Sequence, residues 1–252
     1  MRLKNLVAIV TGGGSGFGEA ICRAYCAEGA RVVVSDLDHA KGGAVAAALR
    51  AAGHEAIFQL VDVAKNQEMQ QLVQKAVAQF GRIDVMVNNA GISHPNQPML
   101  EVSEAAFDRI FQVNVKSLYL AAQHCVPVFR RQQSGCFINI GSTAAVRPRP
   151  GLTWYNGSKG AVSLITKSMA VELAPDHIRA NSINPAIAET PLLTTFMGGA
   201  DTPELRARFT ASIPLGRLGR AADVANAAVF LADPASEFIT GVGLEVDGGR
   251  CI

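Results

Sequence analysis

The chain has 252 residues, a length that suits one large α/β domain or nearly two average ones. A hydrophobic share of 49%, a charged share of 17% and a mean hydropathy of +0.20 provide ample apolar material for a core and exclude a disordered, tail-like or fibrous chain. The 23 Lys and Arg against 21 Asp and Glu leave a formal charge of +2 without runs of one sign, so neither nucleic acid nor anionic lipid is indicated as a partner.

No stretch approaches the roughly 18 consecutive apolar residues of a membrane span. The first residues lead into a strand-like run instead of a secretory apolar region, so a cytoplasmic protein without membrane contact is expected.

The elements follow a βα rhythm. Val- and Ile-rich runs at Leu6–Val10, Arg31–Ser35, Glu55–Gln59 and Asp84–Asn88 predict four strands, and each is followed by a segment of helical periodicity. These helices span Gly16–Glu28, Ala40–Ala52, Lys65–Phe80 and Ser103–Arg131. Cys136–Ile140, Trp154–Leu173, Ile178–Ile183, Ala222–Leu231 and Gly243–Val246 continue the alternation. Strands so continuously apolar belong in a parallel sheet covered on both faces. Residues 184–220 break the rhythm with several prolines and glycines, marking a long functional excursion with one or two short helices. No repeat or linker divides the chain, which reads as one domain over residues 1–252.

The five cysteines, Cys22, Cys26, Cys125, Cys136 and Cys251, sit mostly in apolar segments. Cys22 and Cys26 have a helical spacing that suits a metal, yet no further ligand accompanies them, so no metal and no disulfide are assigned.

Chemistry first enters after the first strand. Gly12, Gly13, Gly14, Ser15, Gly16, Phe17 and Gly18 form a strand-to-helix turn whose backbone N–H groups can approach a pyrophosphate at the positive end of a helix dipole. Asp36, followed by Leu37, closes the second strand, where a carboxylate accepts from both ribose hydroxyls and repels a 2′-phosphate. NAD(H) is therefore the expected cofactor, in preference to NADP(H). Tyr155 and Lys159 stand at i, i+4 on a predicted helix, so the ammonium is expected to draw the phenol down from its usual value of about 10 for acid–base work. Tyr and Lys also meet at this spacing by chance, and the pair gains weight only from its company.

That company consists of Thr11-Gly12 through Gly16-Phe17-Gly18, Asp62-Val63, Asn88-Asn89-Ala90-Gly91, Asn114, Ser142, Tyr155 with Lys159, Asn184-Pro185 with Thr190, and Val246-Asp247-Gly248-Gly249. In this order, across nearly the whole chain, the motifs resemble those of the short-chain dehydrogenase/reductase family. The resemblance implies a single-domain, Rossmann-like, doubly wound α/β fold with a seven-stranded parallel sheet ordered 3-2-1-4-5-6-7. It implies that Tyr155 moves the proton, that Ser142 hydrogen-bonds the substrate oxygen, and that Lys159 binds the nicotinamide ribose. Asn114 would hold a relay water; the competing reading is an asparagine that bends its helix. Asp62 and Val63 would meet the adenine, and Asn89, Ala90 and Gly91 the adenosine ribose, whereas Asn88 suits a tie between strands. Pro185, Ile187 and Thr190 would border the carboxamide. Ala186 and Gly157 depart from the family pattern without removing a polar group from this scheme.

The substrate implied is a secondary alcohol, or a sugar or polyol hydroxyl, exchanged with its ketone. A 3-oxoacyl carrier-protein or CoA reductase is the alternative. Asp176 after the Tyr155 helix and Asp36 argue against it, although Arg130, Arg131, Arg147 and Arg149 offer basic docking residues. A non-catalytic nucleotide-binding regulator is a lesser alternative, disfavoured because Ser142, Tyr155 and Lys159 are all present. His94 and Trp154 are either pocket walls or surface residues. Thr194, Thr195, Phe196 and Met197 are expected to line a cover hinged at Gly198-Gly199, and the resemblance implies a homotetramer.

Overall fold

The computed structural model describes residues 1–199 and 201–252. Seven parallel strands form one sheet in the order β3-β2-β1-β4-β5-β6-β7. They are β1 (Val7–Thr11), β2 (Arg31–Asp36), β3 (Ala56–Leu60), β4 (Val85–Asn88), β5 (Gly135–Ile140), β6 (Ile178–Pro185) and β7 (Gly243–Val246). The helices are α1 (Gly16–Ala27), α2 (His39–Ala51), α3 (Asn66–Phe80), α4 (Glu104–Phe111), α5 (Ser117–Gln132), α6 (Thr153–Leu173), α7 (Leu193–Phe196), α8 (Pro203–Thr210) and α9 (Ala221–Ala232).

The alternation of side chains along a strand divides the core in two. Ala8 and Val10 of β1 pack with Ile21, Val45 and Val224 of α1, α2 and α9 on one face. Ile9 between them packs with Met69, Leu120 and Ala170 of α3, α5 and α6 on the other. Because both faces are covered, all five residues of β1 are buried, which explains its unbroken apolar sequence. Tyr25 of α1 donates its hydroxyl to the Ala228 carbonyl of α9 at 3.1 Å, so the one polar atom of that buried ring is satisfied.

The helix expected over Ser103–Arg131 is interrupted. Gln112–Lys116 forms a π-turn between α4 and α5, and Asn114 lies within it. Inward-pointing polar side chains explain the break. Asn114 is bound to another chain segment, and Ser117 donates its hydroxyl to the Val113 carbonyl at 2.6 Å. Pro127 is accommodated within α5. Excursion 184–220 contains α7 and α8 and has a small core of its own, in which Ile187, Leu193, Met197, Ile213 and Leu218 are buried. None of the helices among the described residues is long and apolar enough to cross a membrane. All five cysteines are free, and no group of metal ligands exists among the described residues.

Candidate active site

The carboxyl ends of β1, β2, β4, β5 and β6 open into one cleft of about 360 Å³. Its place follows from the sheet: order reverses between β1 and β4, so helices diverge there and leave a crevice.

At one end stands the glycine turn. Gly12 and Gly16 have φ of +62° and +55°, which side chains with a Cβ rarely adopt. A Cβ on Gly18 would come within 2.0 Å of the Gly12 carbonyl oxygen, so its absence lets α1 start directly against the turn. The N-terminus of α1 consequently faces the cleft with Ser15, Gly16 and Phe17 at its lining. Asp36 ties this turn to β2, its Oδ2 accepting from Gly14 N and its Oδ1 from Asp38 N, both at 2.8 Å. Each oxygen still has a lone pair for a ligand hydroxyl. Among the described residues no basic side chain pairs with Asp36, which leaves this corner negative.

At the other end, β5 delivers Ser142 and α6 delivers Tyr155 and Lys159. Tyr155 and Lys159 are 7% and 5% exposed and line the cleft together with Ser142. Lys159 Nζ donates to the Ile140 carbonyl at 2.8 Å and lies 5.9 Å from the centre of the Tyr155 ring. Burial lowers the Lys159 ammonium to about 8. Burial also raises the Tyr155 phenol above its ordinary value, against the lowering effects of a Ser142 hydrogen bond and the Arg149 charge. This corrects the expectation that Lys159 is the group drawing the phenol down. Here Ser142 and Arg149 oppose the rise, because Lys159 has turned to the backbone of β5.

Asn114 is buried behind Lys159 and does not line the cleft. Its Oδ1 accepts from Ile92 N at 2.9 Å, and its Nδ2 donates to the Ile92 carbonyl and to Ser158 Oγ at 2.9 and 3.0 Å. The amide thus locks the β4 loop to α6 through the π-turn. Gly91 keeps space open beside it: a Cβ there would stand 3.4 Å from both Asn114 Oδ1 and Lys159 Nζ.

The cleft takes in all but two of the remaining residues expected around a cofactor. Gly12, Leu37, Asp62, Val63, Asn89, Ala90, Gly91, Pro185, Ile187 and Thr190 all line the cleft. Gly14 and Gly18 do not line it; one anchors Asp36 and the other packs the turn. Asn89 directs its Nδ2 to the Thr11 and Gly12 carbonyls at 2.8 and 3.1 Å, so its side chain braces the glycine turn. Asn88 bonds Asn139 at 2.8 Å and is a tie between strands.

Neither His94 nor Trp154, for which the sequence leaves pocket wall and surface both open, lines the cleft, and the expected cover is only partly formed. His94 is buried outside the cleft with Nδ1 donating to the Pro95 carbonyl at 2.7 Å, and Trp154 is half-buried, its Nε1 donating to the Met99 carbonyl at 3.1 Å. Of the four cover residues only Phe196 lines the cleft, 5.3 Å from the Tyr155 ring, while Met197 turns into the excursion's own core. Gly198 and Gly199, with φ of +81° and +101°, terminate α7. Two cleft residues with chemical potential were not singled out as site residues. Arg109 pairs with Asp62 at 3.3 Å, and Arg149 stands beside Tyr155. Neither lies in a motif, and only tertiary contacts reveal them.

A glycine cradle and a buried Tyr–Lys pair beside Ser142 in one crevice of a doubly wound sheet define a Rossmann-type oxidoreductase. A family model described as "Enoyl-(Acyl carrier protein) reductase" matches residues 12–250. The 4-formylbenzenesulfonate dehydrogenase of Comamonas testosteroni is 49% identical over 252 residues, 100% of both chains. A cyclopentanol dehydrogenase of Comamonas sp. is 35% identical, with 98% of each chain covered. A crystal structure of 3-ketoacyl-(acyl-carrier-protein) reductase from Brucella melitensis complexed with NADH superposes with a TM-score of 0.93 at 43% identity, covering 99% of this chain and 100% of that one. The chain belongs to the short-chain dehydrogenase/reductase family.

Proposed function

We propose that the protein is an NAD(H)-dependent oxidoreductase that interconverts a secondary alcohol and its ketone, with Tyr155 as general acid/base. The observation that supports this most is the single cleft joining the glycine turn and Asp36 to Ser142, Tyr155 and Lys159. The cradle suits a dinucleotide pyrophosphate, because its positive-φ glycines and the start of α1 leave room and positive potential for an anion. Asp36 would hold the adenosine ribose, Asp62 and Val63 the adenine, and Ile187 and Thr190 the carboxamide, with Pro185 beside them. Bound there, the nicotinamide supplies or accepts a hydride.

The chain's own groups handle the proton. The Ser142 and Tyr155 hydroxyls converge on the substrate oxygen and stabilise charge as it develops. In reduction the Tyr155 phenol donates its proton to that oxygen, and in oxidation its phenolate receives it. Lys159 borders both the Tyr155 ring and the space kept open by Gly91, which supports a proton path past Asn114. The Asn114 side-chain amide already makes three hydrogen bonds, so a relay water there would share its Oδ1 or be held by backbone atoms. Leu152, Phe196 and Ala144 make the substrate end apolar, which suits a compact carbon skeleton such as those named for the two curated relatives.

Titration with NADH and assays over a panel of secondary alcohols test this reading. Tyr155→Phe is expected to lower kcat by about 10²-fold or more while retaining NADH affinity. Full activity in that variant would overturn the acid/base role.

A 3-oxoacyl reductase is the second reading, favoured by the name of the 43% identical structure. Asp36 and the capture of Arg130 by Asp176 at 2.7 Å count against it, because the pair removes a basic docking residue. Turnover of a 3-oxoacyl thioester above that of simple ketones would decide in its favour.

We also infer a homotetramer, since α5 and α6 expose Tyr119, Leu164 and Val171. A cytoplasmic location agrees with five free cysteines, four of them buried. The working unit is the single domain 1–252 with its substrate loop at 184–220.

A further inference from the structure

Arg149 is held in the cleft by Phe209 of α8, with its guanidinium carbon 4.8 Å from the ring centre. A cation on an aromatic face is stabilised there while its N–H groups remain available. Among the described residues the guanidinium donates no hydrogen bond, and no carboxylate pairs with it. By contrast, Arg82, Arg109, Arg130, Arg206 and Arg217 each pair with a carboxylate, and Arg31, Arg50, Arg147 and Arg179 donate to backbone carbonyls.

A second cation stands behind it. Arg250 is 9% exposed, and its Nε and Nη1 are buried without a partner. Burial, and then the Arg250 charge, lower Arg149 to about 10, so it remains protonated at neutral pH. Two such charges without a carboxylate are costly unless an anion joins them.

The dinucleotide phosphates do not meet this need. Their cradle follows β1 and Asp36 ends β2, whereas Arg149 follows β5. From β1 to β5 the sheet takes two strand spacings, about 10 Å. Arg149 instead shares its end of the cleft with Tyr155, whose phenol feels its charge.

We propose that Arg149, reinforced by Arg250, binds an oxyanion carried by the substrate, a carboxylate or sulfonate, so that the enzyme selects anionic alcohols and carbonyl compounds. This rests on the oxidoreductase reading and adds the substrate class to it. A guanidinium binds such a planar or trigonal oxyanion with two parallel N–H bonds, which fixes the substrate skeleton relative to the Tyr155 and Ser142 hydroxyls.

Calorimetry on the NADH-loaded enzyme tests the assignment without requiring the true substrate. The protein is titrated with benzenesulfonate and with its neutral counterpart, benzenesulfonamide. Wild type is expected to bind the sulfonate at least about tenfold more tightly. Arg149→Met should abolish the preference, Arg149→Lys should reduce it, and Arg250→Met should weaken it. NADH affinity, measured first in each protein, is expected to match wild type and shows that the variants fold. A wild type without anion preference, or a preference that survives in Arg149→Met, overturns the assignment. Failure of wild type to bind NADH would instead overturn the oxidoreductase reading on which it rests.

Discussion

Lys159 shows how one buried side chain links function to stability. Its ammonium falls from the ordinary 10.5 to about 8 through burial, so the folded protein releases this proton before the unfolded chain does. Between pH 8 and 10.5 the unfolded state binds more protons, and this group's contribution to stability therefore rises with pH. Below about pH 8 it is a full destabilising cost. Lys159→Met is expected to raise stability at pH 7 by about 1–3 kcal/mol and to flatten the melting-temperature profile between pH 8 and 10.5, as calorimetric scans would show, while activity is lost. Asp36 acts in the opposite corner through its sign. Asp36→Asn keeps an acceptor for Gly14 N but removes the charge that repels a 2′-phosphate. The NADH-to-NADPH ratio of kcat/KM should fall about tenfold or more. An unchanged ratio would place cofactor selection elsewhere.

Helix segments and loops depend on particular side chains of this kind. The π-turn at Gln112–Lys116 is closed by Asn114, whose amide makes three bonds to Ile92 and Ser158. Asn114→Ala leaves the Ile92 N–H and C=O without this partner and is expected to destabilise the protein by about 2–3 kcal/mol in denaturant titrations. Activity should fall with it, because the same bonds set the β4 loop against the Lys159 helix. The asparagine's presence was legible in the sequence, and so was a helix around it. Its partners were not, since the contact to Ser158 spans 44 positions and leaves no periodic trace. The cover of the cleft was misassigned for a similar reason. A four-residue helix such as α7 has no repeated pattern to show which side faces inward, and only packing against Ile213 and Leu218 turns Met197 away from the cleft.

The whole molecule exposes apolar residues that its own core does not use. Leu164 and Val171 lie two turns apart on one side of α6 and are 67% and 79% exposed; Tyr119 of α5 is 59% exposed. With Glu at both Leu164 and Val171, the particle mass measured by light scattering is expected to drop from that of a tetramer to that of a smaller species. A wild-type protein that is already monomeric would contradict the assembly. Charge shows the same contrast between chain and fold. The net of +2 suggests no anionic partner, yet folding leaves Arg149 unpaired beside Tyr155 while Arg130 is neutralised by Asp176.

By itself the sequence determined the alternation of strands and helices, the single domain, the glycine turn with Asp36, and the Tyr155–Lys159 pair. Each of these is written in near neighbours, through a period of two or 3.6 residues or through a turn that needs glycine. Tertiary structure alone decided that Lys159 turns to Ile140, that Asn114 clasps Ile92 and Ser158, and that Arg149 enters the cleft over Phe209. Those outcomes depend on which distant groups are brought into contact as water is excluded, and burial then sets their charge and their hydrogen bonds.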